Sequence, residues 1–141
     1  MLKNIYIQNY DGCNLNCTVC HRQYNNYRNF QMSEKIFDQV CYRLSELYIK
    51  QKNFSVILGF GGEPTLDPLL FSRIVQLKYI LPEAQIGIHT NGVIIRKNKD
   101  ELKDKLDFII TSTLGGLSGK YSFETITKLN FEKHTNYLVN L

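Results

Sequence analysis

The sequence predicts an α/β fold built on a parallel sheet, and two patterns support this prediction. Short runs of β-branched and apolar residues alternate four times with longer segments whose apolar residues recur at helical spacing. A helix between two strands of one sheet is a crossover, and crossovers join parallel strands in a right-handed sense. A chain of 141 residues suits one domain, which we place at 1–141.

The first two strand–helix units carry the clearest signals. Residues 3–8 alternate between polar and apolar, as a short strand does. Ser33 has the side chain of an N-cap, and apolar residues at helical spacing follow it as far as residue 48. Residues 54–60 form a nearly continuous apolar run, which is typical of a buried parallel strand.

The remaining elements follow from the same patterns. Asp67 and Pro68 predict the cap and the first position of a second helix, which Pro82 ends. The later elements are predicted as a third strand at 85–90, a short polar helix at 98–105, a fourth strand at 106–111, a helix at 122–130 and the start of a fifth strand at 136–140.

Three of the four cysteines, Cys13, Cys17 and Cys20, lie within eight residues in the spacing C-x3-C-x2-C. Thiolates so close on one loop can converge on one metal centre. A structural zinc site wants four ligands and most cubane iron–sulfur clusters take four cysteines, so three thiolates leave one metal position for another group. Cys41 falls in the predicted first helix beside Val40, and we interpret it as a small core residue.

Two other interpretations of the cysteines compete with an iron–sulfur cluster. One is a zinc knuckle of Cys13, Cys17, Cys20 and His21. The other takes residues 17–21 as C-x-x-C-H, the haem attachment signature. Haem attachment needs an exported apoprotein, but the N-terminus has no long apolar core or small-residue cleavage site, and Cys13 would have no role. The spacing alone therefore leaves zinc and an iron–sulfur cluster equally open.

A second motif, Gly61-Gly62-Glu63-Pro64, directly follows the second predicted strand. With the cysteine loop after the first strand, this order of motifs resembles the radical S-adenosylmethionine (SAM) superfamily. The resemblance implies a partial parallel (β/α) barrel. About four strand–helix units and a fragment of a fifth are present here. We therefore expect a short or C-terminally truncated radical SAM core domain, with an unpaired edge on its last strand.

The resemblance also implies which residues hold the cofactors. Cys13, Cys17 and Cys20 would bind three irons of a 4Fe-4S cluster, and the amino and carboxylate groups of SAM would chelate the fourth. The Gly61–Pro64 stretch would contact the SAM amino group, and glycines there allow close approach of the backbone. The third and fourth strands would each add one contact to the ribose or carboxylate of SAM. Those two candidates are Asn91 and Ser112.

The chain departs from the family pattern at two positions. Leu114 stands where an acidic residue often follows the fourth strand, and Val19 stands before the last cysteine, where an aromatic residue is common. Two histidines near the motifs are not assigned to the site. We interpret His89 as a strand residue rather than a ligand, and His21 as exposed.

The function implied by the resemblance is reductive cleavage of SAM. The resulting 5′-deoxyadenosyl radical would abstract hydrogen from an unknown substrate, a small molecule or a peptide, and a reductase, flavodoxin or ferredoxin would supply the electron. Catalytic residues are unknown from the sequence. One alternative is an activase that places a glycyl radical on a partner protein. An alternative of another class is a non-catalytic zinc-binding module.

Composition limits the partners and the compartment. The net charge of +4 is spread among interleaved acids and bases, which indicates a solvated surface and not a nucleic-acid patch. No apolar run reaches membrane-spanning length. Without a recognisable signal segment we expect a cytoplasmic protein, where clustered cysteines stay reduced and act as ligands.

Overall fold

Four parallel strands form one open sheet in the computed structural model, which describes residues 3–17, 20–23, 30–95, 102 and 105–112. The elements in chain order are β1 Asn4–Ile7, α1 Glu34–Lys50, β2 Ser55–Leu58, α2 Leu70–Ile80, β3 Gln85–Thr90 and β4 Phe108–Thr111. The spatial order of the strands is also β1-β2-β3-β4, so each strand pairs with the next one along the chain. This arrangement confirms the predicted α/β class.

One face of the sheet is covered by α1 and α2 and forms the main core. Strand residues on this face include Val56, Leu58 and Ile88, which are fully buried. From the helices, Phe37 and Ile74 pack into the same cluster. Burial of such large aliphatic and aromatic side chains is the main favourable term that holds the helices against the sheet.

The other face of the sheet carries a different set of side chains. In the register of the sheet, Tyr6 of β1 pairs with Ile57 of β2, and His89 of β3 pairs with Ile110 of β4. Because paired residues of a sheet share a face, these side chains lie opposite the helices. In a barrel this face is the interior, and Tyr6 is 44% exposed on it.

The first helix begins where the sequence predicts. Ser33 is the N-cap of α1, and its hydroxyl accepts a hydrogen bond from the Ile36 backbone N–H. The predicted start of α2 is wrong by two residues. Its N-cap is Leu69, without a side-chain cap, and Asp67 and Pro68 lie in the preceding turn because the Asp67 carboxylate accepts from the Leu69 N–H.

The strands are shorter than the apolar runs that predict them, except β3, which matches at both ends. Residues 59 and 60 leave β2 because the chain turns there, at Gly59, with a φ of 95°. Most of the predicted helix at 98–105 lies outside the described residues, although Leu102 is buried as expected. The predicted elements at 122–130 and 136–140 lie outside them entirely. Within the described ranges, no helix has the length and apolar character needed to cross a membrane.

Candidate cofactor site

A cavity of about 270 Å³ lies at the carboxyl ends of the four strands. Parallel α/β sheets place their ligands at this edge, because the loops that follow the strands meet there. Its wall combines residues from all four loops. They are Cys13, Leu15, Cys17, Cys20, His21, Arg22, Gly59, Phe60, Gly61, Gly62, Glu63, His89, Thr90, Asn91 and Ser112.

The three motif cysteines are reduced thiols and lie half-buried around this cavity. A turn brings two of them together, since the Cys20 N–H donates to the Cys17 carbonyl at 3.0 Å. Burial raises the pKa of the Cys17 thiol, and the neighbouring Cys13 and Cys20 raise it further. Negative charge on the neighbouring thiols therefore makes the Cys17 thiolate harder to form, and a bound cation would reverse this effect.

The cysteine loop is closed at its base by backbone pairing between its two flanks. Three contacts form this closure: an antiparallel bridge between Tyr10 and Gln31, the Asp11 N–H to the Phe30 carbonyl at 2.7 Å, and the Met32 N–H to the Asn9 carbonyl at 3.0 Å. The loop therefore begins and ends at one place on the sheet edge.

A buried ion pair from the second unit lies beneath this closure. Arg73 of α2 is 2.5 Å from the Asp67 carboxylate, and both side chains are almost fully buried. The guanidinium also donates to the backbone carbonyls of Asn9 and Met32, one on each flank of the loop. The amides of Asn9 and Gln31 donate to the same carboxylate. We name these five residues the loop clamp.

The Gly61–Gly62 segment passes close beneath the cysteine loop. A Cβ built on Gly62 would lie 2.4 Å from the Tyr10 carbonyl oxygen and 2.7 Å from that of Gly12. The Glu63 N–H donates to the Gly12 carbonyl at 2.7 Å. Glycine is required here because the two loops touch backbone to backbone.

Glu63 is buried, at 1% exposure, and its carboxylate is fully engaged by the protein. One oxygen accepts from the Thr65 N–H, the Thr65 hydroxyl and the Thr90 hydroxyl, and the other accepts from the Asn91 N–H at 2.7 Å. A buried carboxylate is stable only with such donors. The side chain therefore joins the loops after β2 and β3 and does not project into the cavity as a free acid.

Asn91 follows β3 in a tight turn and reaches the cysteine loop. Its side-chain oxygen accepts from the Val93 N–H at 3.0 Å, and Gly92 adopts a φ of 77°, which favours glycine. Its amide nitrogen lies 3.6 Å from Cys13 Sγ and 2.9 Å from the Asn14 side-chain oxygen. The structure thus places this predicted residue beside the first cysteine.

His89 and Ser112 form a polar pair across β3 and β4. The His89 Nε2 atom is 2.8 Å from Ser112 Oγ, and both residues line the cavity. Sequence reasoning assigned Ser112 to the site but not His89. The alternation of side chains along β3 could have predicted the position of His89. Ile86 and Ile88 face the core, so His89, the next residue, faces the barrel interior.

The structure places Arg22 in the cavity wall and Pro64 outside it. Arg22 received no role from the sequence, yet it lines the cavity and its guanidinium lies 2.8 Å from the buried Asp11 carboxylate. Pro64 was predicted as part of the cofactor-binding stretch. It is buried beside Gly59, begins a 3-10 turn, and is absent from the cavity wall. His21 is exposed, as expected, at the cavity rim.

The residues around the cavity fit an iron–sulfur cluster with SAM. In the described part of the chain, no three His, Cys, Asp or Glu side chains are grouped closely enough to hold a single metal ion. A cubane instead binds its cysteines through separate irons, and three thiols spaced around one cavity supply that donor set. The backbone of Gly61 and Gly62 lines the same cavity.

The Radical SAM superfamily model matches residues 7–116, so the chain belongs to the radical SAM superfamily. The resemblance drawn from the cysteine and Gly-Gly-Glu-Pro motifs is therefore confirmed. The cofactors of this family are a 4Fe-4S cluster and SAM.

Two groups of curated relatives are enzymes of this kind. The chain is 27% identical over 93 residues to a GTP 3′,8-cyclase of Streptomyces coelicolor, covering 66% of this chain and 27% of that protein. It is 25% identical over 111 residues to a 7-carboxy-7-deazaguanine synthase of Rickettsia prowazekii, covering 77% of this chain and 42% of that protein. The chain therefore spans less than half the length of either relative.

Solved structures show the same fold. The crystal structure of BtrN in complex with AdoMet and 2-DOIA matches with a TM-score of 0.69 at 20% identity, over 94% of this chain and 55% of that one. A structure of BtrN in an open conformation matches with a TM-score of 0.68. This likeness confirms the partial-barrel architecture.

Proposed function

We propose that this chain binds a 4Fe-4S cluster and SAM at the strand-end cavity and cleaves SAM to start radical chemistry on a substrate. One observation carries the proposal. Three thiols, a glycine backbone and the polar groups of two further strand ends meet around one cavity. When bound, the cluster and SAM would supply the chemistry for reductive cleavage of a carbon–sulfur bond of SAM, which would start hydrogen abstraction from a substrate.

The first role of the chain's own residues is to hold the cofactors. Cys13, Cys17 and Cys20 would bind three irons and leave the fourth for SAM. The backbone of Gly61 and Gly62, which lines the cavity, would accept hydrogen bonds from the SAM amino group.

A second role is to hold the cavity wall in shape. Glu63 fixes Thr90 and Asn91 through its carboxylate, so we assign it to positioning and not to direct contact through that group. Pro64 acts in the same way by starting the turn behind the glycines. Ser112, oriented by His89, would offer a hydroxyl to the polar part of SAM.

The partners of this activity follow from its chemistry. Reductive cleavage needs one electron from outside, so we propose a flavodoxin, ferredoxin or dedicated reductase as donor. The substrate, a small molecule or a peptide, would enter on the barrel-interior face beside Phe60 and His89, which line the same cavity.

Anaerobic reconstitution tests the proposal. The chain is incubated with iron and sulfide, desalted and analysed for metal. We expect iron and sulfide in the stoichiometry of one 4Fe-4S cluster per chain, an EPR signal of the reduced cluster that changes when SAM is added, and 5′-deoxyadenosine after reduction. One zinc per chain with no iron or sulfide would overturn the proposal in favour of a zinc-binding module.

A further inference from the structure

We propose that Asn91 is a hydrogen-bond donor to the cysteine sulfur of Cys13 and thereby raises the reduction potential of the cluster. This inference rests on the proposed function and extends it to the side-chain amide of Asn91, which is not among the proposed iron ligands. The side-chain nitrogen lies 3.6 Å from Cys13 Sγ, within the range of a hydrogen bond to sulfur. Cys13 Sγ also accepts from the Leu15 backbone N–H at 3.4 Å.

The orientation of the Asn91 amide is determined by its neighbours. Its oxygen accepts from the Val93 N–H, and its nitrogen donates to the Asn14 side-chain oxygen. Turning the amide over would place the nitrogen against an N–H and the oxygen against another oxygen. The network therefore assigns the N–H groups to the side that faces Cys13.

The backbone of Asn91 is held as firmly as its side chain. Its N–H donates to the buried Glu63 carboxylate at 2.7 Å, and the Gly92 N–H donates to the Thr90 hydroxyl at 3.0 Å. A donor fixed by the protein loses little entropy when it meets a ligand. The contact with Cys13 is consequently built into the fold before any cluster binds.

A hydrogen bond to a ligating sulfur changes the electron affinity of the cluster. Reduction adds negative charge, which spreads onto the cysteine sulfurs, and an N–H directed at one of them stabilises the reduced form more than the oxidised form. Hydrogen bonds to sulfur are among the features that set iron–sulfur potentials. Removing the Asn91 amide should therefore make the cluster harder to reduce.

Two substitutions at Asn91 remove the amide N–H donor to Cys13 and keep a side-chain oxygen that can cap the turn. Asn91→Asp has nearly the same shape and keeps the oxygen that accepts from Val93, but it replaces the donor with a negative oxygen. Asn91→Ser can also cap the turn and adds no charge. Asn53→Ser is the matched control, because it makes the same substitution at an exposed position before β2, at the opposite end of the sheet from the cavity.

The experiment is a redox titration of the reconstituted full chain, monitored by EPR and performed without SAM. We expect full cluster content in Asn91→Ser with a potential more negative than wild type, a larger negative shift in Asn91→Asp, and no shift in Asn53→Ser. Equal potentials in wild type and both Asn91 variants would overturn the inference. An Asn91→Ser protein that binds no cluster would also overturn it, because loss of the hydrogen bond to Cys13 should change the reduction potential and leave the iron ligands in place. A wild-type chain that binds no cluster would instead overturn the proposed function.

Discussion

Cys41 and Cys17 place the same side chain in two regions that treat a thiol differently. Cys41 lies in the core between α1 and the sheet, and burial raises its pKa to about 11. Cys17 lies half-buried on the cavity wall, where two other thiols add to the burial that raises its pKa. A thiol in the core stays protonated and inert, whereas three thiols around one cavity can each bind a separate iron of one cluster. Surroundings, and not residue type, separate structural from ligating cysteines here.

The largest expected effect tests that division directly. Replacing Cys13, Cys17 or Cys20 singly by Ala should abolish cluster binding, because three protein ligands leave no spare. Cys41→Ala should bind iron like the wild type, since its thiol faces the core. Iron per chain and visible absorbance after reconstitution measure both. Iron loss in Cys41→Ala as complete as in Cys17→Ala, with a folded protein by circular dichroism, would contradict the assignment.

The second expected effect compares the stability contributed by a buried ion pair with that contributed by an exposed one. Arg73→Met should lower the free energy of unfolding by about 3 kcal/mol, because it leaves the buried Asp67 carboxylate without its cation. Urea denaturation of the cluster-free protein measures this change. Lys52→Ala breaks the exposed ion pair with Glu83 and serves as the control. If the two variants unfolded at the same urea concentration, the buried ion pair of the loop clamp would contribute no more to stability than the exposed pair.

The smallest expected effect is a pH dependence that arises from the core cysteine. The pKa of Cys41 rises from 9.0 to about 11 on folding, so the folded thiol keeps its proton where the unfolded thiol loses it. The unfolded state then binds fewer protons, and the free energy of unfolding falls as pH rises through this window. Cys41→Ala should show a shallower fall between pH 9 and 11 in urea denaturation. If the free energy of unfolding fell with the same slope in both proteins, groups other than Cys41 would cause the loss of stability at alkaline pH.

Local patterns in the sequence predicted the sheet and its motifs well. Strand β3 and the N-cap Ser33 were found because apolar alternation and capping are properties of neighbouring residues. The three cysteines and Gly61–Gly62 were found because their function requires fixed spacing. All of them line the cavity, as expected for loops that follow parallel strands.

The contacts between units could not be predicted in the same way. Asp67 was expected to cap α2, but its carboxylate is bound by Asn9 and Gln31 from far along the chain as well as by Arg73. One signal was available, because Arg73 lies on the same helical face as Leu70 and Leu77 and is buried with them. A charge on an apolar face implies a buried partner, although the identity of that partner depends on the tertiary fold.

The closure at the base of the cysteine loop has a consequence for how this family can vary. Because residues 9–11 and 30–32 pair with one another, the points where the cysteine loop leaves and rejoins the sheet edge are fixed. Doubling the length of a loop closed in this way costs only about 0.6 kcal/mol in closure entropy. A longer cysteine loop would therefore keep this closure with little loss of stability.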